Sequence, residues 1–114
     1  KINFLPHLIP AMRGIYSTIY VNFEDTQNQS IEEIYSDFYQ DSLNIELMLD
    51  GQVPEILKVA ETNNCQIGIY QSAIENQIVI ISAIDNLVKG AAGQAIECYN
   101  LITGNYQLKG INNG

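Results

Sequence analysis

The run QIVIISAI, Gln77 to Ile84, is apolar at both odd and even positions, and no other stretch constrains the fold of this chain as strongly. A strand with one polar face can lie against solvent. One that is apolar on both faces needs a neighbouring strand at each edge and cover above and below. The run therefore predicts a central strand. It falls far short of the roughly 18 apolar residues that cross a bilayer.

Three other stretches alternate as strands do. From Gly14 to Phe23, Ile15, Ile19, Val21 and Phe23 fall on one face, and Tyr16, Thr18, Tyr20 and Asn22 on the other. This predicts a long strand with a half-polar, half-aromatic second face, suited either to an oligomer contact or to cover by a helix. Ile45, Leu47 and Leu49 alternate with Glu46, Met48 and Asp50 and stop at the turn pair Asp50-Gly51. Cys65, Ile67 and Ile69 alternate again, and the turn in SAIENQ pairs them with Gln77 to Ile84 as an antiparallel hairpin. The opening KINFLPHLIPAMRG predicts a short strand and then a loop, because Pro6 and Pro10 disfavour helix in the residues before them and cannot donate to a ladder. EDTQNQ is a polar loop, and a connecting segment surrounds Pro54.

Two segments carry helical period. In SIEEIYSDFYQD, Ser30 and Glu33 have capping-box spacing ahead of Ile31, Ile34, Tyr35, Phe38 and Tyr39. The acidic run Glu32, Glu33 and Asp37 is a solvated face that also suits the start of that helix. After the central strand, Asp85 or Asn86 caps a second helix with a buried stripe of Leu87, Val88, Ala91, Ala92, Ala95, Ile96, Tyr99 and Ile102. Gly104 stops it, and the tail NYQLKGINNG is loosely ordered. The sum is an α+β fold: a mostly antiparallel sheet of four or five strands with two or more helices packed on it.

A chain of 114 residues builds one core. Its formal net charge of −8 repels a phosphate backbone and an anionic lipid surface, so neither nucleic acid nor membrane is expected as a partner. Cys65 and Cys98 lack the spacing of a disulfide framework or metal site and are expected as reduced thiols of a cytoplasmic protein. No metal ligand set is present. The chain has no G-x-G-x-x-G fingerprint and no P-loop, so it does not build a nucleotide-binding domain by itself. It starts at Lys1 without a signal pattern, as a mature product or, more in keeping, a fragment.

Gly90 and Gly93 stand out, since glycine inside a helix costs about 1 kcal/mol relative to alanine. Bare backbone there lets a sheet or a ligand come close, and free N–H groups at the helix start suit a polar or negative group. Arg13, the only arginine, is suited to bidentate binding of carboxylate or phosphate, or to an ion pair with one of the thirteen acidic residues. His7, the only histidine, sits between prolines as a structural residue or a ligand contact.

DNLVKGAAGQA, Asp85 to Ala95, closely resembles the C-terminal motif of N-acetyl-gamma-glutamyl-phosphate reductases, and PHLIPAMRGIYSTIY, Pro6 to Tyr20, resembles their Pro-His-Leu-x-Pro-x-x-Arg-Gly-Ile segment. SIEEIYSDFYQD and VAETNNCQIGIY resemble the segments between, the latter through Asn-x-Cys-x-Ile. Glu61 stands where that family often has glycine. IECYN, Ile96 to Asn100, replaces a more usual Val-Gln-Asn-x-Asn, a departure expected on the outer face of the helix.

The resemblance implies a semialdehyde dehydrogenase dimerisation domain, like that of glyceraldehyde-phosphate dehydrogenase. Residues 1–104 would be part of a catalytic and dimerisation domain and 105–114 a C-terminal tail. It further implies an NADP-dependent enzyme of arginine biosynthesis that reductively dephosphorylates N-acetyl-glutamyl phosphate to the semialdehyde. Its cysteine nucleophile, acid/base histidine and Rossmann domain would lie outside this chain. On that reading no catalytic residue is present and the chain alone is inactive. Asn86, with Lys89, Gly90 and Gly93, would contact the cofactor, and Arg13 and His7 the substrate. The partners implied are the chain's own Rossmann domain and further copies in a homo-oligomer. Two alternatives are a stand-alone, non-catalytic dimerisation module of the same fold, and an aspartate-semialdehyde dehydrogenase.

Overall fold

A computed structural model describes residues 2–24 and 30–111. The polar loop expected at Glu24 to Gln29 lies, beyond Glu24, outside the described residues. The elements in order are β1 (Ile15–Asn22), α1 (Ile31–Tyr39), β2 (Ile45–Met48), α2 (Ile56–Val59), β3 (Cys65–Gln71), β4 (Gln77–Ile84), a π-helical turn (Val88–Ala92) and α3 (Gly93–Ile102).

The four strands form one sheet in the order β1-β4-β3-β2. β4, apolar on both faces, has an antiparallel neighbour at each edge, β1 with Ile19 opposite Ile80 and β3 with Ile69 opposite the same residue. The short β2 pairs in parallel with β3, Ile45 opposite Cys65, so the sheet is mixed. Residues 2–14 form no strand, contrary to the expectation of a short one there. Pro6 and Pro10 cannot donate to a ladder, and Ile2, Phe4, Leu5 and Leu8 are largely exposed, with no sheet face to rest on.

One face of the sheet is covered by α1. Its start is closed by the predicted box: the Glu33 N–H donates to the Ser30 hydroxyl and the Ser30 N–H to the Glu33 carboxylate, each at 3.1 Å. Ile31, Tyr35 and Tyr39 then pack with Val21 and Phe23 on a core of Cys65, Ile67, Ile78 and Ile80. Burying an aliphatic side chain of this size contributes about 1.5–3 kcal/mol. Because side chains alternate along a strand, Tyr16, Thr18 and Tyr20 point to the other face. There Val59 of α2 and Ala83 are fully buried, while Tyr16 and Tyr20 stay exposed.

The π-helical turn changes what α3 presents. Its N–H groups bond five residues back, Gly90 to the Asp85 carbonyl at 2.8 Å, Ala92 to that of Leu87 at 3.1 Å, and Gly93 to that of Val88. At 3.6 residues per turn, an extra residue in one turn advances the helix face by about 100°. The buried stripe is therefore Gly93, Glu97 and Asn100, whereas Leu87, Ile96, Tyr99 and Ile102, expected inside, are exposed. The tail, expected loose, folds back over residues 105–111: the Asn100 amide donates to the carbonyls of Gln107 and Lys109, each at 2.9 Å.

Candidate functional site

Asp85 follows the last residue of β4, and its carboxylate is fully buried. Oδ1 accepts the N–H groups of Leu87 and Val88, each at 2.8 Å, and Oδ2 accepts that of Glu61 at 2.7 Å. Arg13 adds its guanidinium, with Nη2 donating to Oδ1 at 3.1 Å and Nε lying 2.9 Å from Oδ2. Charge-assisted contacts of this kind are roughly twice as strong as neutral ones. Burial alone would raise the Asp85 carboxyl; the N–H groups of Glu61, Val88 and Leu87 and the Arg13 guanidinium outweigh it and hold the group below its ordinary range. The N–H groups at the helix start, expected to be open to a polar ligand, are thus taken by Asp85.

The next residue repeats the link. Asn86 Oδ1 accepts the Gly14 N–H at 2.9 Å. Gly14 is required there: its φ is +117°, and a Cβ would lie 2.4 Å from Cγ2 of Ile56. Two consecutive residues at the end of β4 therefore hold two consecutive residues at the start of β1. Glu61 approaches from the loop after α2 with a left-handed φ of 63°, and its exposed carboxylate reaches the Arg13 Nη1 at 3.3 Å.

A second cluster lies beneath the turn. The buried Glu97 accepts Lys89 Nζ at 2.7 Å, Asn63 Nδ2 at 2.9 Å, Asn44 Nδ2 at 3.2 Å, and the Gln107 amide. Burial would raise the Glu97 carboxyl; Lys89, Gln107 and Asn63 pull it below its ordinary range. The Cys65 thiol is pushed up by burial, an effect that the nearby Lys89 charge only moderates, so the group is a small apolar side chain rather than a thiolate.

The candidate residues divide accordingly. Arg13 and Asn86 meet around Asp85. Gly90 is exposed on the turn. Lys89 points inward to Glu97, and Gly93 lies against Asn63. His7 sits in the exposed arm, with Nδ1 3.1 Å from the Leu5 carbonyl, and makes no hydrogen bond to the Asp85 cluster. Sequence reasoning took Asp85 for a cap alone and missed Asn63 and Glu97. The signals were there in the Asn of Asn-x-Cys-x-Ile and in the departure at IECYN, of which Ile96, Cys98 and Tyr99 lie on the outer face of α3 as expected but Glu97 lies on its buried face. Among the described residues no group of three or more His, Cys, Asp and Glu could hold a metal ion, and no helix is long and apolar enough to cross a membrane.

The family model described as the semialdehyde dehydrogenase dimerisation domain matches residues 1–86, and the chain belongs to that family. Over nearly its whole length it is similar to N-acetyl-gamma-glutamyl-phosphate reductases. It is 46% identical to that of Clostridium botulinum over 97% of the chain and 43% identical to that of Clostridium beijerinckii over 98%, in each case covering 33% of the relative. Against the enzyme of Alkaliphilus metalliredigens the identity is 40%, covering 96% of the chain and 32% of the relative. The chain thus spans about a third of the length of the curated relatives it matches.

Proposed function

We propose that this chain is the dimerisation part of an NADPH-dependent N-acetyl-gamma-glutamyl-phosphate reductase of arginine biosynthesis, and that the nucleophile and the dinucleotide-binding domain belong to the remainder of the polypeptide. The observation that carries the reading is the similarity at 40–46% identity over almost the entire chain to enzymes of that name. The cofactor would supply hydride to the acyl carbon. Asn86 fits a place beside it: its oxygen is occupied by the Gly14 N–H, which fixes the side chain and leaves the amide N–H₂ to donate to a carboxamide oxygen. Exposed Gly90 offers bare backbone on the same turn, while Lys89 and Gly93 support that turn from within. His7 and Arg13 lie on the segment we place on the substrate side.

The open sheet face supports a homo-oligomer. Tyr20, Val79 and Tyr70 lie in one row across β1, β4 and β3, on the side away from α1. A second copy would cover this face. The exposed side of α3 would in turn meet the chain's own Rossmann domain. A cytoplasmic location fits a soluble biosynthetic enzyme.

The test is reduction of acyl phosphates by the full-length protein. NADPH oxidation with N-acetyl-glutamyl phosphate and not with aspartyl phosphate is expected. Activity on aspartyl phosphate alone would replace this reading with an aspartate-semialdehyde dehydrogenase, and activity on neither would leave a non-catalytic dimerisation module.

A further inference from the structure

We infer that Asp85 is a positioning residue that couples the segment of Arg13 and Gly14 to the turn that presents Asn86, so that Arg13 acts on cofactor binding through Asp85 and not as a substrate ligand. The inference rests on the functional reading above, and three observations carry it.

First, the carboxylate is saturated from separate segments. Oδ1 accepts hydrogen bonds from Leu87 and Val88 of the turn and from Arg13 Nη2, and Oδ2 accepts one from Glu61 of the α2–β3 loop and lies 2.9 Å from Arg13 Nε as an ion pair. A fully buried anion held this way has a single orientation, and the turn and the Arg13 segment share it. Second, the adjacent Asn86 is oriented by the N–H of Gly14, the residue next to Arg13. Loosening Arg13 therefore loosens both anchors of Asn86. Third, the guanidinium is committed: Nε and Nη2 face Asp85, and Nη1 faces Glu61. A substrate carboxylate would have to compete with a buried charge.

The experiment uses the full-length protein with Arg13→Met, Arg13→Lys, Asp85→Asn and the Arg13→Met/Asp85→Asn double variant, with NADPH affinity measured by fluorescence titration in the absence of acyl phosphate. Loss of a charge-assisted anchor predicts about tenfold weaker NADPH binding in Arg13→Met. Arg13→Lys should recover part of the loss, and the double variant should bind no more weakly than Asp85→Asn alone. Without cofactor, amide exchange at Leu87 and Val88 should quicken in Arg13→Met.

Unchanged NADPH affinity with a raised KM for N-acetyl-glutamyl phosphate would make Arg13 a substrate ligand and overturn the inference. A lowered Tm with both constants unchanged would overturn it equally, leaving a purely structural pair. If Asp85→Asn fails to fold, the two Arg13 variants decide alone. Because the titration needs no turnover, a wild-type protein that binds NADPH but reduces no acyl phosphate removes the functional reading while these comparisons still judge Asp85.

Discussion

A methyl group on Gly93 would lie 2.2 Å from the side-chain oxygen of Asn63, a fully buried residue whose amide is held by Glu97. Asn63 cannot swing aside without giving up that bond, and the added carbon would also lie 2.8 Å from the Val88 carbonyl. Gly93→Ala should therefore lose about 1–3 kcal/mol through overpacking, despite the better helix propensity of alanine. At Gly90 the nearest atom is the Asp85 carbonyl at 3.2 Å, so Gly90→Ala should cost less. Equilibrium denaturation of the two variants checks the order; equal stabilities would contradict it.

Glu61 holds a φ of 63° with a side chain that is 77% exposed. Its pairing with Arg13 is a surface contact of small worth, whereas a left-handed backbone costs a non-glycine residue about 1–2 kcal/mol. Glu61→Gly should be neutral or stabilising, because the relief of strain offsets the greater freedom of glycine in the unfolded chain. Glu61→Val should destabilise, since a branched side chain tolerates this region worst. Denaturant midpoints for the pair test the argument; it fails if glycine is the worse of the two.

Asp85 and Glu97 both titrate below their ordinary values of 3.8 and 4.5 when folded. A carboxyl depressed by folding contributes stability that is present above its unfolded pKa and is lost as the pH falls through the folded one. The Tm should be nearly level from about pH 7 to about pH 5 and then fall below about pH 4. Glu97→Gln should lower the plateau, because Lys89 loses its buried partner, and flatten the acid limb. Calorimetry across that range decides; a Tm independent of pH in both proteins would refute the assignment.

Cys65 is buried and its thiol is pushed up in pKa, whereas Cys98 is exposed on α3. An aromatic disulfide reagent should modify one thiol of the folded chain at once and the second only after denaturant is added. Rapid release of two equivalents from the folded chain would show that β3 opens far more readily than its packing implies.

Much of the fold was legible in the sequence because its signals are local. Ser30 and Glu33 announce α1, Gln77 to Ile84 announces a central strand, and the turn before Gln77 announces the hairpin. The parallel pairing of β2 with β3 was not legible, because Ile45 and Leu47 alternate identically in either direction, and α2 is only four residues long. The face of α3 was misjudged for a definite reason: the π-helical turn rotates it, and what it buries is Glu97 and Asn100, which hydrophobic periodicity cannot flag. The candidate site was legible in part. Arg13 and Asn86 stood out as polar residues in marked positions, but that one aspartate gathers their segments depends on contacts 72 positions apart along the chain.

The strand order has a consequence for synthesis. Of the four described strands, β1 leaves the ribosome first and β4 last, yet among the described residues β1 pairs only with β4. Ile15 must wait until Ile84 has been made, about seventy residues later, or several seconds at ordinary elongation rates of roughly 5–20 residues per second. During that interval β3 and β4 can close their hairpin as soon as both are free, while β1 carries Tyr16, Ile19 and Tyr20 unpaired. The nascent chain is open to mispairing in that interval, and a pause in translation before β4 has emerged from the ribosome would prolong it.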